Sequence, residues 1–354
     1  LAKQLFTHAV TALYAQSVMT GGGGKQIYEF FFRKKDEDTS SDFSLDALLQ
    51  ENAYAACYRN KDTQSHLRKY EPGTNTMITV PRGSEKTPIG EDLIDSVTVG
   101  FDATDGIDVQ TKGKLDHIVD DHTTAWNMTF NKQSFDLFLD GTLHVRGEEA
   151  DDIGLDLDFG RAIGNSLTYD FTAGGASFSE AIIELQNAML TAGVPRGGQF
   201  AFLGDDWGDA LSVDTEVKAW LETKPNIPTV PAELTGYEGL DDPQYLKLPG
   251  MKTGMWICFY APGISYRASE DAAVSEWIPT AEAIAGSWLD VRYDVNRGVD
   301  LLGSDGKAER VVADISFDSY VQNDPVTTLA RSAARKALVP AAVNHTFNST
   351  GTFA

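Results

Sequence analysis

Apolar positions recur with two different periods along this chain, and the changes of period mark its elements. Residues 5–18 carry Leu5, Val10, Leu13, Tyr14 and Val18 at helical spacing. Gly21–Gly24 breaks that pattern, and the dense run Ile27-Tyr-Glu-Phe-Phe-Phe32 follows, ending in Arg33-Lys34-Lys35. This run reads either as a short helix against a core or as an arm anchored on another surface. Phe43–Leu49 predicts a strand or a short helix. From about Arg68 to Asp108 the chain turns polar, with two alternating β-branched runs, Thr76–Val80 and Ser96–Gly100, set off by Gly, Pro and charge. These predict an extended hairpin that projects from the body, because few of its residues can fill a core.

His117–Leu139 lacks proline and predicts a helix with Ile118, Trp126, Phe130, Phe135, Phe138 and Leu139 as its apolar positions. Leu143–Val145 and Ile153–Phe159 alternate with period two and predict paired strands. Phe178–Leu190 is the best-defined helix. Ser177 and Glu180 have capping-box spacing, Ile182, Leu185 and Met189 share a face, and Gly193 and Pro195 end it. Gln199–Leu203 predicts a strand, Asp205 or Asp206 a cap for a turn through Trp207 and Leu211, and Thr215–Leu221 another helix. The continuous apolarity of Met255–Tyr260 predicts a buried strand. Arg310–Phe317 and Lys336–Val343 predict further strands, the last closing the body, with Asn348–Ala354 a small, polar and dispensable end. This alternation predicts a compact mixed core of helices and strands.

Composition narrows the function. Of 354 residues, 42% are hydrophobic, which excludes disorder as the main state. The formal net charge is −23, so the totals show no basic footprint for holding nucleic acid through its phosphates. From Glu85 to Asp158 there are 18 Asp/Glu against 5 Lys/Arg, while residues 1–84 hold 9 acids and 10 bases. Bases gather on the predicted hairpin stem at Arg68, Lys69, Arg82 and Lys86, ahead of the acidic stretch. Cys57 and Cys258 cannot form a disulfide framework in so long a chain. The Asn-x-Thr triplets at Asn127, Asn344 and Asn348 read as chance matches. The longest apolar run, Met255–Ala261, falls far short of a membrane span, and Leu1–Phe6 does not read as a secretory signal.

No catalytic spacing holds. Gly303-Ser-Asp-Gly-Lys307 is too short for a phosphate loop, and Ala308 replaces the hydroxyl that would meet Mg²⁺; Asp305-Gly306 fits a turn between strands. In Asp102–Asp108 a calcium-loop register puts Phe101 and Ala103 at ligand positions. His117 and Asp121 would share a helix face, but no third ligand is visible; a solvated acidic helix start explains Asp116, Asp120, Asp121 and His122. No enzyme activity, metal or cofactor is therefore expected.

Several patterns in order resemble the lambda-type phage major capsid protein family. They are Phe31-Phe32-Arg33 ahead of a polar strand region, Leu155-Asp-Leu-Asp-Phe-Gly-Arg161, the helix to Gly193 with Phe202-Leu-Gly-Asp-Asp-Trp-Gly-Asp-Ala-Leu211, Gly254–Tyr266, Trp277–Gly286, and Asn323-Asp-Pro-Val326 with Leu338-Val-Pro. The resemblance covers about residues 28–345. It implies an α+β fold of the Hong Kong 97 capsid type: N-terminal arm (1–65), extended E-loop hairpin (66–112), peripheral domain with a spine helix (113–175), axial domain (176–335), and C-terminal strand and tail (336–354). It implies a virion protein, assembled in the host cytoplasm, that forms the icosahedral shell of a double-stranded-DNA tailed phage. Its partners would be its own copies as hexamers and pentamers, with decoration, scaffold and portal proteins, and packaged DNA nearby without specific binding; no membrane is involved. Phe31, Phe32, Arg33, Arg68, Lys69, Arg82 and Lys86 are the expected inter-subunit assembly residues. Another virion or encapsulating shell protein is one rival reading, and an acidic α/β hydrolase is the other.

Overall fold

The computed structural model describes residues 26–46, 75–89, 109–145, 155–223, 244–246, 254–259, 265–266, 275–302, 308–323 and 326–353. The long strand Val326–Pro340 organises the first of two main sheets. Its earlier part pairs antiparallel with Ser316–Asn323 on one side and Arg82–Ile89 on the other. Its last residues pair antiparallel with Arg292–Arg297, to which Lys34–Asp38 adds in parallel. This strand begins ten residues before the predicted Lys336. Residues 329–337 are rich in Ala, Arg and Lys, which favour helix locally, so pairing on both sides overrides propensity.

The second sheet has the order Ser166–Asp170, Phe347–Thr352, Glu282–Ser287, Gln199–Leu203, Met255–Phe259, Gln244–Leu246. Its first pair and the 199–203/255–259 pair are parallel, the rest antiparallel. Helices cover both faces, which explains why Gln199–Leu203 is buried at every position. Phe200 and Phe202 point to one side, where α1 (Ile27–Phe31) and α2 (Val109–Leu139) lie. Ala201 and Leu203 point to the other, against α3 (Phe178–Thr191), α4 (Asp205–Val213) and α5 (Thr215–Thr223). Trp207 of α4 is fully buried there and donates from its indole to the Ala281 carbonyl at 2.9 Å.

Local chemistry sets the helix ends. Ser177 Oγ accepts from the Glu180 amide at 3.2 Å, and Gly193 follows α3 with φ +86°. α4 is capped by Gly204, not by Asp205 or Asp206. A Cβ at Gly204 would stand 2.3 Å from the Pro279 carbonyl oxygen, so only glycine fits, and the two aspartates instead face the positive end of the helix.

One open reading is decided and three other expectations change. The aromatic run is a short helix in the core: Phe31 and Phe32 are 1% and 2% exposed, with Phe31 ringed by Phe135, Phe138, Phe200 and Phe202. Asn75–Thr79 pairs with Asp42–Asp46, and Arg82–Ile89 joins the first sheet, so this part of the predicted hairpin lies on the body and buries Ile78, Val80 and Ile89. Arg310–Phe317 is divided between Ala308–Val311 and Ser316–Asn323, with Asp314 between them turned toward Lys35 and Lys336. Phe347–Thr352 is an inner strand of the second sheet, not a dispensable end. The predicted pair around Thr142–Val145 and Leu155–Asp158 is present and antiparallel. The helix read at residues 5–18, the run Ser96–Gly100 and the turn at Asp305-Gly306 lie outside the described residues.

Candidate assembly surface

Strand alternation gathers basic side chains on one face of the first sheet. Arg82 lies opposite Arg335, and Lys86 opposite Arg331. All four therefore point the same way. Like charges in cross-strand register repel, and the next strand supplies a counter-charge: Arg331 Nε donates to Asp318 Oδ1 at 2.7 Å and its Nη2 to Oδ2. Arg335 Nε donates to the Val80 carbonyl at 3.1 Å. Val299, Leu301 and Val311 pack over Ala333 in the middle of this face, while Arg82 and Lys86 stay exposed on Arg82–Ile89. Among the described residues that strand is an edge, and its charges with Pro88 guard it against indiscriminate strand pairing.

The opposite face of the same strands is covered by α2. Trp126 Nε1 donates to Ser332 Oγ at 2.9 Å, and the Thr87 hydroxyl meets His122 Nε2 at 2.7 Å. Gly83 is required under Trp126, where a Cβ would stand 2.4 Å from the indole. Since His122 faces the sheet, Asp120 lies on the far side of the helix, and Asp121 beside it is also exposed. His117 Nδ1 stands 3.4 Å from Asp121 Oδ1, and among the described residues no group of three or more metal-ligating side chains forms. The layer thus has a basic side and an acidic side.

Of the predicted assembly residues, Arg33, Arg82 and Lys86 are exposed, Phe31 and Phe32 serve the core, and Arg68 and Lys69 lie outside the described residues. Arg33 Nε donates to the Phe30 carbonyl at 3.1 Å and its guanidinium stands over the Phe30 ring. Arg331 and Arg335 were not anticipated. The signal that exposes them is their i, i+4 spacing, which puts both on one side of a strand but is indistinguishable from a helical pair until the strand is known.

A titratable clamp joins α2 to the following hairpin. His144 Nε2 lies 2.7 Å from Asp140 Oδ2 and its Nδ1 lies 2.8 Å from Asp156 Oδ1. Two carboxylates accept from both ring nitrogens only if the ring carries both protons. Burial works against that imidazolium, but Asp140 and Asp156, with Asp136 adding, outweigh it and raise the pKa. A folded pKa above the unfolded one gives stability that is complete below about pH 6.5 and lost as pH rises through the raised value. The thermal midpoint difference between wild type and His144→Gln should therefore be larger at about pH 6 than at about pH 8. A difference that does not change with pH would rule out the clamp.

No family model matches the chain, and no curated protein sequence matches it. Solved structures do. A protein assigned as a prophage capsid protein from E. coli CFT073 aligns with TM-score 0.63 at 11% identity, over 98% of this chain and 99% of that one. A phage-related protein from Bordetella bronchiseptica RB50 gives 0.49 at 7%, over 96% of each chain. The mature capsid of bacteriophage PhiM1 gives 0.45 at 12%, over 93% of this chain and 88% of that one. Identities this low speak to fold, and the first alignment, end to end in both chains, carries the assignment: this chain has the α+β capsid fold of the Hong Kong 97 type.

Proposed function

We propose that this chain is a major capsid protein whose copies assemble as hexamers and pentamers into the icosahedral shell of a double-stranded-DNA tailed phage, a structural protein and not an enzyme. The observation that supports it most is the end-to-end likeness in fold to the prophage capsid protein. The proposed parts are an arm at 1–65, an E-loop at 66–112, a peripheral domain at 113–175, an axial domain at 176–335 and a C-terminal strand and tail at 336–354. The layer of α2 and the first sheet supports contacts of a particular kind. Opposite charges on opposite sides favour head-to-tail association, in which one copy's basic face meets the next copy's acidic helix, and such heterologous contacts close into rings. Arg33, Arg82 and Lys86, with Arg68 and Lys69, are the proposed contact residues. The net charge of −23 suits a container for DNA, because an acidic lining repels phosphates and lets the duplex slide during packaging.

Purified protein should sediment as capsomers or closed shells and appear as such in electron micrographs. Arg82→Glu with Lys86→Glu should leave the circular dichroism of the subunit intact and abolish shells or make them strongly salt-dependent. Each exposed pair is worth only about 0–1 kcal/mol, but the contact repeats around every ring. A small oligomer under all conditions would sink the capsid reading. Normal shells with an unchanged salt response in the double variant would remove the charged contact and leave the capsid reading standing.

A further inference from the structure

The first sheet buries a charged cluster that the assembly surface does not use. Lys336 lies opposite Asn296 in the ladder, and Asp294 is two residues along the same strand, so the three side chains share one face. Lys336 Nζ stands 3.0 Å from both carboxyl oxygens of Asp294. Equal distances to the two oxygens put the nitrogen on the plane that bisects the carboxyl group, in direct contact with it. The side chains of Lys336 and Asp294 are 0% and 1% exposed. The Tyr28 and Phe130 rings lie 4.3 Å and 4.7 Å from the ammonium and help keep water out. A second carboxyl group completes the cluster: Asp314 Oδ1 is 3.2 Å from Lys336 Nζ and accepts from Asn296 Nδ2 at 2.8 Å, while Lys35 Nζ donates to its Oδ2 at 2.7 Å.

An amine and a carboxyl group locked together without water are the two reactants of an amide. Position supplies much of what the reaction lacks in solution, where the partners must first meet; near-attack arrangements hold reacting atoms about 3–3.5 Å apart. Environment separates the two acids. Burial raises the Asp294 carboxyl despite Lys336, favouring the protonated, electrophilic form. Burial acts on Asp314 too, but Lys336 and Lys35 outweigh it and hold this group low, as a carboxylate able to take a proton.

We propose that Lys336 and Asp294 join in an intramolecular isopeptide bond, with Asp314 as the proton acceptor. Asp314 takes a proton from the Lys336 ammonium, and the freed lone pair attacks Cγ of protonated Asp294. The Nζ–Cγ bond forms and the bond from Cγ to the hydroxyl oxygen breaks. That hydroxyl leaves as water with a second proton from the nitrogen, relayed through Asp314. An ammonium and a carboxylic acid thus become one amide, one water and one proton, with no change of oxidation state. The product bolts the long strand to its neighbour Arg292–Arg297 inside a single subunit.

Intact mass of the full-length protein, measured after denaturation, tests this directly. The expected mass lies one water, about 18 Da, below the sequence mass. Tryptic digestion should fail after Lys336 and yield a branched peptide containing residues 294 and 336. Lys336→Arg and Asp294→Ala should each return the full mass. Asp314→Asn, which leaves both reactants in place, should lower the rate at which the lighter species accumulates by about tenfold or more. Wild-type protein that keeps its full mass after prolonged incubation, with normal cleavage after Lys336, would overturn the proposal whether or not the variants fold. A loss of about 17 Da, one ammonia, mapped to Asn296 would overturn the assignment to Asp294.

Discussion

Deleting residues 347–354 should give insoluble protein and no particles. The strand Phe347–Thr352 sits between Ser166–Asp170 and Glu282–Ser287, so its removal opens two ladders inside a covered sheet. Phe347 is 1% exposed and belongs to the core under α3 and α4. Losing its burial costs roughly 1.5–3 kcal/mol, and each buried backbone group left without a partner costs about 1–3 kcal/mol more. Side chains fail with it. Glu282 loses Asn348 and Thr350, which donate to its Oε2 and Oε1 at 3.2 Å and 2.7 Å, and Arg161 loses Asn348 Oδ1 at 3.0 Å. A domain's whole stability is only about 5–15 kcal/mol, so the sum exceeds what the fold can spare. Soluble protein with a cooperative unfolding transition after this deletion would show that the strand is peripheral.

Phe31→Ala should lower the stability of the isolated subunit by about 3–5 kcal/mol, read as a shifted urea midpoint before any assembly is attempted. Its ring lies 4.8 Å from Phe138, 5.3 Å from Phe202 and 5.6 Å from both Phe135 and Phe200, centroid to centroid, at the junction of α1, α2 and the second sheet. No smaller side chain fills that space. The neighbouring Arg33→Ala is the control: its side chain is exposed, and its loss should cost within about 1 kcal/mol. Unchanged unfolding of Phe31→Ala together with lost assembly would return Phe31 to a role between subunits.

α3 was legible because its cap, apolar face and terminal glycine agree, and the 199–203 strand because burial on both faces leaves a continuous apolar run. Phe31 was ambiguous because an aromatic run followed by three bases fits a core helix and an anchoring arm equally well; what decides is contact with Phe200 and Phe202, more than a hundred residues away. The final strand was missed for a related reason. Phe347-Asn-Ser-Thr-Gly-Thr352 is polar, yet Asn348 and Thr350 are satisfied by Glu282, a partner no local pattern indicates. The basic face was half legible. Arg82 and Lys86 stood out in an acidic chain, while Arg331 and Arg335 needed the ladder that sets them opposite.

The placement of Phe347–Thr352 also sets an order on folding during synthesis. A ribosome releases residues in order, and the second sheet lacks an inner strand until residues 347–352 have left it. Ser166–Asp170 has no ladder partner other than Phe347–Thr352 among the described residues, so nearly two hundred residues of waiting separate its synthesis from its pairing. Exposed sheet edges during that interval are a hazard for nascent chains crowded on one messenger. A chain that has emerged only as far as residue 346 carries five of the six strands of that sheet and still cannot join Ser166–Asp170 to the others.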